Sequence, residues 1–161
     1  MADLRDLYQE VIVDHAKRPR NFRRITAANR HAEGHNPLCG DRLAVDLVVE
    51  DGVVKDVGFV GAGCAVSTAS ASLMTDLLKG KSVDEAERLF TRFHDLVTGV
   101  MAADDGAVAS LGKLAVFAGV CEYPARVKCA SLPWHSARAA LHGEAAPVTT
   151  EGEDKDKSHA K

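Results

Sequence analysis

The chain has few cysteines, no excess of charge and no apolar run that suits a membrane. Four cysteines among 161 residues are too few for a domain held together by disulfides. The net charge of −3 excludes a polybasic, histone-like binder, so we expect no nucleic-acid partner. The uncharged stretch Val57 to Thr75 contains five Ser or Thr and three Gly residues, which makes it too polar to span a bilayer. The N-terminus, MADLRDLYQE, lacks the basic and apolar regions of a signal peptide, and we expect a cytoplasmic protein without membrane contact.

The length and the apolar pattern predict a single domain over residues 1–143. Beyond it, EAAPVTTEGEDKDKSHAK has no periodic apolar residue, so residues 144–161 are predicted to be a disordered tail. A hairpin followed by a run of helices indicates an α+β fold, with a small antiparallel sheet packed on several helices. Helices are predicted at 3–17, at 65–79, after a capping box of Ser82 and Glu85, at 107–118, and from Ser131 to Leu141 with Pro133 in the first turn.

The predicted hairpin pairs residues 43–50 with 54–60 around an Asp-Gly turn. A two-residue loop would place Leu47 opposite Asp56, whereas a three-residue loop places Leu47 opposite Val57 and keeps the apolar residues on one face. The hydrophobic pattern therefore favours the longer, bulged loop. This register brings the chain just before the first strand close to the chain just after the second.

Three cysteines lie at predicted element boundaries, in the strings Cys39-Gly40-Asp41, Gly61-Ala62-Gly63-Cys64 and Lys128-Cys129. Three thiolates and a carboxylate make a complete tetrahedral donor set for zinc. Cys64 opens a predicted helix and Cys129 stands at the start of another, so both thiols are expected to feel a positive helix end. The spacing alone leaves two interpretations open, a zinc site and cysteines that merely pack.

Other candidate residues have simpler interpretations. Cys121 lies in the apolar run LAVFAGVC and is predicted to be a packed helix cysteine. His35 is a candidate ligand, although a solvated loop histidine is the commoner case. The basic segment Lys17 to Arg24 is interpreted as a solvated loop or a partner-docking patch.

Four strings together resemble a known family: DHAKRPRNF, NPLCGD, GAGCAVSTASASLMTDLLKGKSVDEA and YPARVKCASLPW. They are similar to the iron–sulfur assembly proteins of the IscU/SufU superfamily over most of residues 4–142. The match is closer to the SufU branch, because Lys128 stands where the cluster scaffolds have a histidine. The resemblance implies a third strand near residues 30–36 and zinc held by four residues. These are Cys39, Asp41, Cys64 and Cys129.

The resemblance also implies a function. A SufU-like protein is a zinc-dependent sulfurtransferase that accepts persulfide sulfur from a cysteine desulfurase of the SufS type and passes it toward a downstream cluster scaffold. Cys39 would be the acceptor, and Arg126 would stabilise a nearby thiolate. Asp41 is a harder ligand than a fourth thiolate, which would keep the site exchangeable. Two alternatives remain: a scaffold that carries a transient iron–sulfur cluster on the same cysteines, and a structural zinc module that only binds partners.

Overall fold

Four helices and a sheet make up the part of the chain that the computed structural model describes, which is residues 4–37, 40–100, 114–117, 120, 123–143 and 148–149. The helices are α1 (Leu4–Lys17), α2 (Ala65–Leu78), α3 (Val83–Val97) and α4 (Pro124–Leu141). The strands are β1 (Arg30–Asn36), β2 (Asp41–Glu50), β3 (Val53–Ala62) and β4 (Val148–Thr149). None of the described helices is both long enough and apolar enough to cross a bilayer.

The sheet has the order β3-β2-β1-β4, with antiparallel pairing among the first three strands and a short parallel pairing of β4 with β1. Its inner face carries Val45, Leu47, Val57 and Phe59, which belong to one buried core with the helices. Helices α2 and α4 contact the sheet, α1 packs on α2, and α3 packs on α4. The predicted α+β class and the strand at residues 30–36 are both confirmed.

The hairpin register is confirmed, but the predicted three-residue loop is wrong. Leu47 pairs with Val57, as the apolar pattern requires. The turn nevertheless has two residues, Asp51 and Gly52, whose φ angles of 53° and 74° suit a type I′ turn. The extra residue lies inside β3, where Lys55 has no partner in the register and forms a bulge.

Helix boundaries confirm several predictions and correct one. Cys64 precedes α2, and Gly80, with φ 87°, follows its end. The capping box of α3 is present, with Ser82 Oγ accepting from the Glu85 amide at 3.1 Å. The prediction that the last helix begins at Ser131 is wrong, because α4 begins at Pro124 and contains Pro133 in its interior.

Two predicted segments lie mostly outside the described residues. Of the helix expected at 107–118, the structure describes 114–117, which form one 3₁₀ turn. Of the tail expected at 144–161, it describes Val148 and Thr149, which pair with Gly34 and His35 of β1. This short strand is a contact that the expectation of a disordered tail did not include.

The basic segment Lys17 to Arg24 is not a free positive patch. Four arginines of the segment form ion pairs, with 2.7–2.9 Å between a guanidinium nitrogen and a carboxylate oxygen. The segment continues across the outer face of the sheet at Gly58, where a Cβ atom would lie 2.5 Å from the carbonyl oxygen of Arg23. The pairs are Arg18 and Arg20 with Asp14, Arg23 with Asp56, and Arg24 with Asp46. Arg23 and Arg24 therefore connect the end of the segment to the sheet.

Candidate metal centre

Asp41, the first residue of β2, is fully buried and is oriented by the chain just before α2. Its Oδ1 accepts the backbone N–H of Cys64 at 2.9 Å. Gly63 leaves the space for this carboxylate, since a Cβ atom at Gly63 would lie 2.6 Å from Asp41 Oδ1. Because the hairpin register brings the start of β2 level with the end of β3, two predicted site loops meet here.

Cys64 is the N-cap residue of α2, with an extended backbone at φ −74° and ψ 168°. Its Sγ accepts the Ser67 amide at 3.4 Å, which satisfies one of the free N–H groups of the first helical turn. A hydrogen bond with Cys129 is the strongest influence on this thiol and lowers its pKa; burial opposes it, the Ser67 amide lowers it further, and the resulting pKa is about 6. This lowered pKa favours the thiolate of Cys64, which is the form that binds metals.

Cys129 is fully buried in the second turn of α4. The prediction that it stands at the start of a helix is wrong, because five residues of α4 precede it. The positive end of a helix acts mainly within the first turn, so it does not explain the environment of this thiol. What Cys129 has instead is a side-chain donor, Asn36 Nδ2, at 3.6 Å from its sulfur.

Asp41, Cys64 and Cys129 together form a compact donor cluster, whose ligand atoms all lie within 4.8 Å of one another. Two thiolates bound to one tetrahedral zinc ion at 2.3 Å are about 3.8 Å apart, so a cluster of this size suits zinc. Two sulfurs and a carboxylate oxygen also match the ligand preferences of that ion. The fourth predicted ligand, Cys39, lies outside the described residues, two positions before Asp41 in the chain.

Of the other predicted site residues, the structure describes two on α4 and one on β1. Arg126 is exposed in the first turn of α4, three residues before Cys129, and its role toward a thiolate stays a prediction. Lys128 is half-buried in the same helix. His35 lies on the opposite face of β1 from Asn36, because side chains alternate along a strand, and it is not part of the cluster. Cys121 lies outside the described residues.

Asn36, the last residue of β1, lies at the site although the sequence pattern did not predict it there. It is fully buried and pairs directly with Asp41 across the two strands. Its Nδ2 lies 3.3 Å from Asp41 Oδ2 as well as 3.6 Å from Cys129 Sγ. A signal was present in the sequence, because Asn36 opens the string that contains Cys39 and Asp41 and falls on the core-facing alternation of its strand.

Comparisons with known proteins agree with this geometry. The family model of the NifU-like N-terminal domain matches residues 7–130. The chain is 38% identical over 133 residues to the zinc-dependent sulfurtransferase SufU of Bacillus subtilis, covering 83% of this chain and 88% of that protein. It is 35% identical over 141 residues to the iron–sulfur cluster assembly scaffold protein IscU of Streptococcus pyogenes, covering 88% and 86%.

A solved structure also matches the fold. It is a candidate iron–sulfur cluster assembly scaffold protein for the SUF system from Fervidobacterium islandicum, similar with a TM-score of 0.75 and 33% identity over 82% of this chain and 94% of that one. The sequence match, the sheet and helix order, and the cluster of Asp41, Cys64 and Cys129 all point the same way. The chain therefore belongs to the NifU-like N-terminal domain family, together with the IscU and SufU proteins.

Proposed function

We propose that the chain is a zinc-dependent sulfurtransferase of iron–sulfur cluster assembly. It takes persulfide sulfur from a cysteine desulfurase of the SufS type and passes it toward a downstream cluster scaffold. The observation that carries the proposal is the convergence of Asp41, Cys64 and Cys129 from three separate elements onto one point. We assign Cys39 as the fourth donor. Free thiols suit a reducing compartment, so we place the activity in the cytoplasm.

The proposed resident metal is zinc, which when bound keeps cysteine ligands deprotonated at neutral pH. The chain's own contribution is to prepare the donors. The amide of Cys64 and the side chain of Asn36 each donate to one oxygen of Asp41. The carboxylate therefore has a fixed orientation, while each oxygen keeps a lone pair for an ion.

Lys128 favours sulfur transfer over cluster assembly. Its ammonium group has three N–H donors and no lone pair, so at neutral pH it does not ligate iron or zinc. A histidine at the same position would offer an imidazole nitrogen to a cluster. The chain matches SufU over 133 residues at 38% identity and IscU over 141 residues at 35% identity. The names of these relatives alone therefore do not separate the two functions.

The proposed chemical step is thiol–persulfide exchange at Cys39. The Cys39 thiolate attacks the outer sulfur of the desulfurase persulfide, a new S–S bond forms on Cys39, and the S–S bond of the desulfurase breaks. The electron pair of that bond leaves with the desulfurase cysteine as a thiolate, so no external oxidant or reductant is needed. Arg126 is proposed to stabilise a thiolate near this exchange. Cys64 and Cys129 are proposed to hold the metal rather than to accept sulfur.

Peptide mass spectrometry after incubation with a desulfurase and cysteine, under non-reducing conditions, tests the acceptor. We expect the persulfide on Cys39, and we expect Cys39→Ser to lose both sulfur acceptance and stimulation of desulfurase turnover. Cys121→Ser is the matched control, because it removes a cysteine outside the three motifs and is expected to change neither. A persulfide found on Cys64, Cys121 or Cys129 but never on Cys39 would overturn the acceptor assignment.

The second candidate function is a scaffold for a transient iron–sulfur cluster, favoured by relatives named as IscU scaffolds. Anaerobic reconstitution with iron and sulfide separates the two. A brown chromophore on the native chain supports the scaffold, whereas one tightly bound zinc per chain supports the sulfurtransferase. Zinc without stimulation of a desulfurase would indicate a purely structural zinc module.

A further inference from the structure

Asn36 connects two of the three clustered donors, although it is not a ligand itself. It is fully buried at the end of β1. One side-chain nitrogen contacts the β2 carboxylate, Asp41 Oδ2 at 3.3 Å, and the α4 thiol, Cys129 Sγ at 3.6 Å. Its backbone carbonyl oxygen also accepts the Gly40 amide at 2.8 Å.

The chemistry of these neighbours fixes which end of the amide faces them. A carboxylate only accepts hydrogen bonds, so an amide oxygen turned toward Asp41 would place two acceptors against each other in a buried site. The NH₂ group must therefore face the cluster, and its two hydrogens serve two acceptors. A donor shared by a carboxylate and a sulfur sets the separation between them.

We infer that Asn36 is a positioning residue of the metal centre, one that holds Asp41 and Cys129 in register for a thiophilic divalent cation. The inference rests on the proposed function for the identity of the ion. Residues that hydrogen-bond to metal ligands fix ligand orientation, and their loss typically lowers metal affinity about 10- to 100-fold. Asn36 contacts β2 and α4, which are the two donor-bearing elements farthest apart in sequence at this site.

The test measures metal binding by the full chain without any desulfurase. Native chain and Asn36→Ala are titrated with Co²⁺, followed by zinc competition. We expect Asn36→Ala to bind both ions about 10- to 100-fold more weakly and to shift the visible d–d bands of the bound Co²⁺, since these bands report ligand geometry. A role in folding alone would lower the melting temperature and leave the bands unchanged.

Asn29→Ala is the matched control. Asn29 precedes β1 at its other end and also bridges to β2, with Nδ2 donating to the Val49 carbonyl at 2.8 Å and Oδ1 accepting the Val49 amide at 2.9 Å. Its loss is expected to cost stability without moving the Co²⁺ bands or the zinc affinity. Native affinity and native bands in Asn36→Ala would overturn the inference while leaving the proposed function intact.

A measurement on the native chain covers the case in which Asn36→Ala does not fold. With NMR-active cadmium bound, the Asn36 side-chain amide is expected to show coupling to the metal through its hydrogen bond to Cys129 Sγ. A well-resolved amide signal without such coupling would contradict the inference. A native chain that binds none of the three ions would overturn both this inference and the zinc-dependent function.

Discussion

Adding one methyl group at Gly63 should weaken metal binding. In Gly63→Ala the new Cβ would lie 2.6 Å from Asp41 Oδ1 and 3.1 Å from its Cγ. Carbon and oxygen atoms in contact are normally about 3.3 Å apart or more, so the carboxylate must retreat by about 0.7 Å. The hydrogen bond from the Cys64 amide to Oδ1 is already 2.9 Å long. Such a shift takes it beyond the usual limit of about 3.2 Å.

The expected cost follows from that broken bond. Leaving a buried charged group without one of its donors costs about 1–3 kcal/mol. If the displaced carboxylate no longer meets the ion, zinc affinity falls by about tenfold for each 1.4 kcal/mol lost. We therefore expect zinc binding to weaken about 10- to 100-fold, measured by competition with a chromogenic chelator.

Gly80→Ala is the control at the other end of α2. Gly80 has φ 87° and no atom near its missing Cβ, so alanine there strains only the backbone. A left-handed residue other than glycine costs about 1–2 kcal/mol, which lowers the melting temperature of a chain of this size by about 2–4 °C per kcal/mol. Zinc affinity should not change. Equal zinc affinity in Gly63→Ala and the native chain would refute the role assigned to the Asp41 carboxylate.

Three further predictions follow from the fold and the site. Removal of the metal by a strong chelator should lower the melting temperature measured by circular dichroism, because the proposed ligands crosslink β2, α2 and α4; an unmoved curve would exclude a structural contribution. Asp46→Asn should destabilise the chain in urea at neutral pH, and this deficit should shrink progressively as the pH falls from about 4 toward the lowered pKa of Asp46. Burial raises the pKa of Asp46, but hydrogen bonds from Arg24, the Ile25 amide and His31 outweigh burial and hold this pKa below 3.8. The Asp46 carboxylate therefore stabilises the fold above the pKa of the unfolded chain, and this stabilisation is lost as the pH falls through the lower pKa of the folded chain. An equal loss of stability in Asp46→Asn at neutral and at acid pH would contradict this. Truncation after Gly143 should leave the zinc content, measured by elemental analysis, intact and lower the melting temperature by only a few degrees, since it removes the short pairing of β4 with β1; loss of zinc would show that this segment supports the site.

The pairing of β2 with β3 was predictable because apolar residues must share a face. Moving the register by one residue would turn Leu47 toward the charged Asp56, and no loop preference outweighs that cost. The place of the extra residue was not predictable from the same pattern. A bulge within β3 and a longer turn give the same register, and the Asp-Gly pair favours the tight turn.

The start of α4 was missed because this helix is buried on several sides. Its buried residues include Cys129, Leu132, Trp134 and Ala137, so it shows no single apolar stripe. Proline is typical of a first helical turn, although Pro133 lies within this helix. Asn36 was missed for a different reason, because the sequence does not show which partners a buried amide finds across three elements.

The sulfur of Cys64 does two things at once, because it closes the first turn of α2 and belongs to the donor cluster. Any group that draws electron density from this sulfur, whether an ion or an alkylating reagent, weakens it as an acceptor for the Ser67 amide. The rate at which that amide exchanges its hydrogen with solvent therefore reports the chemical state of the sulfur. Hydrogen exchange at the Ser67 amide is therefore expected to follow metal binding or modification at Cys64 without an added label and without a partner protein.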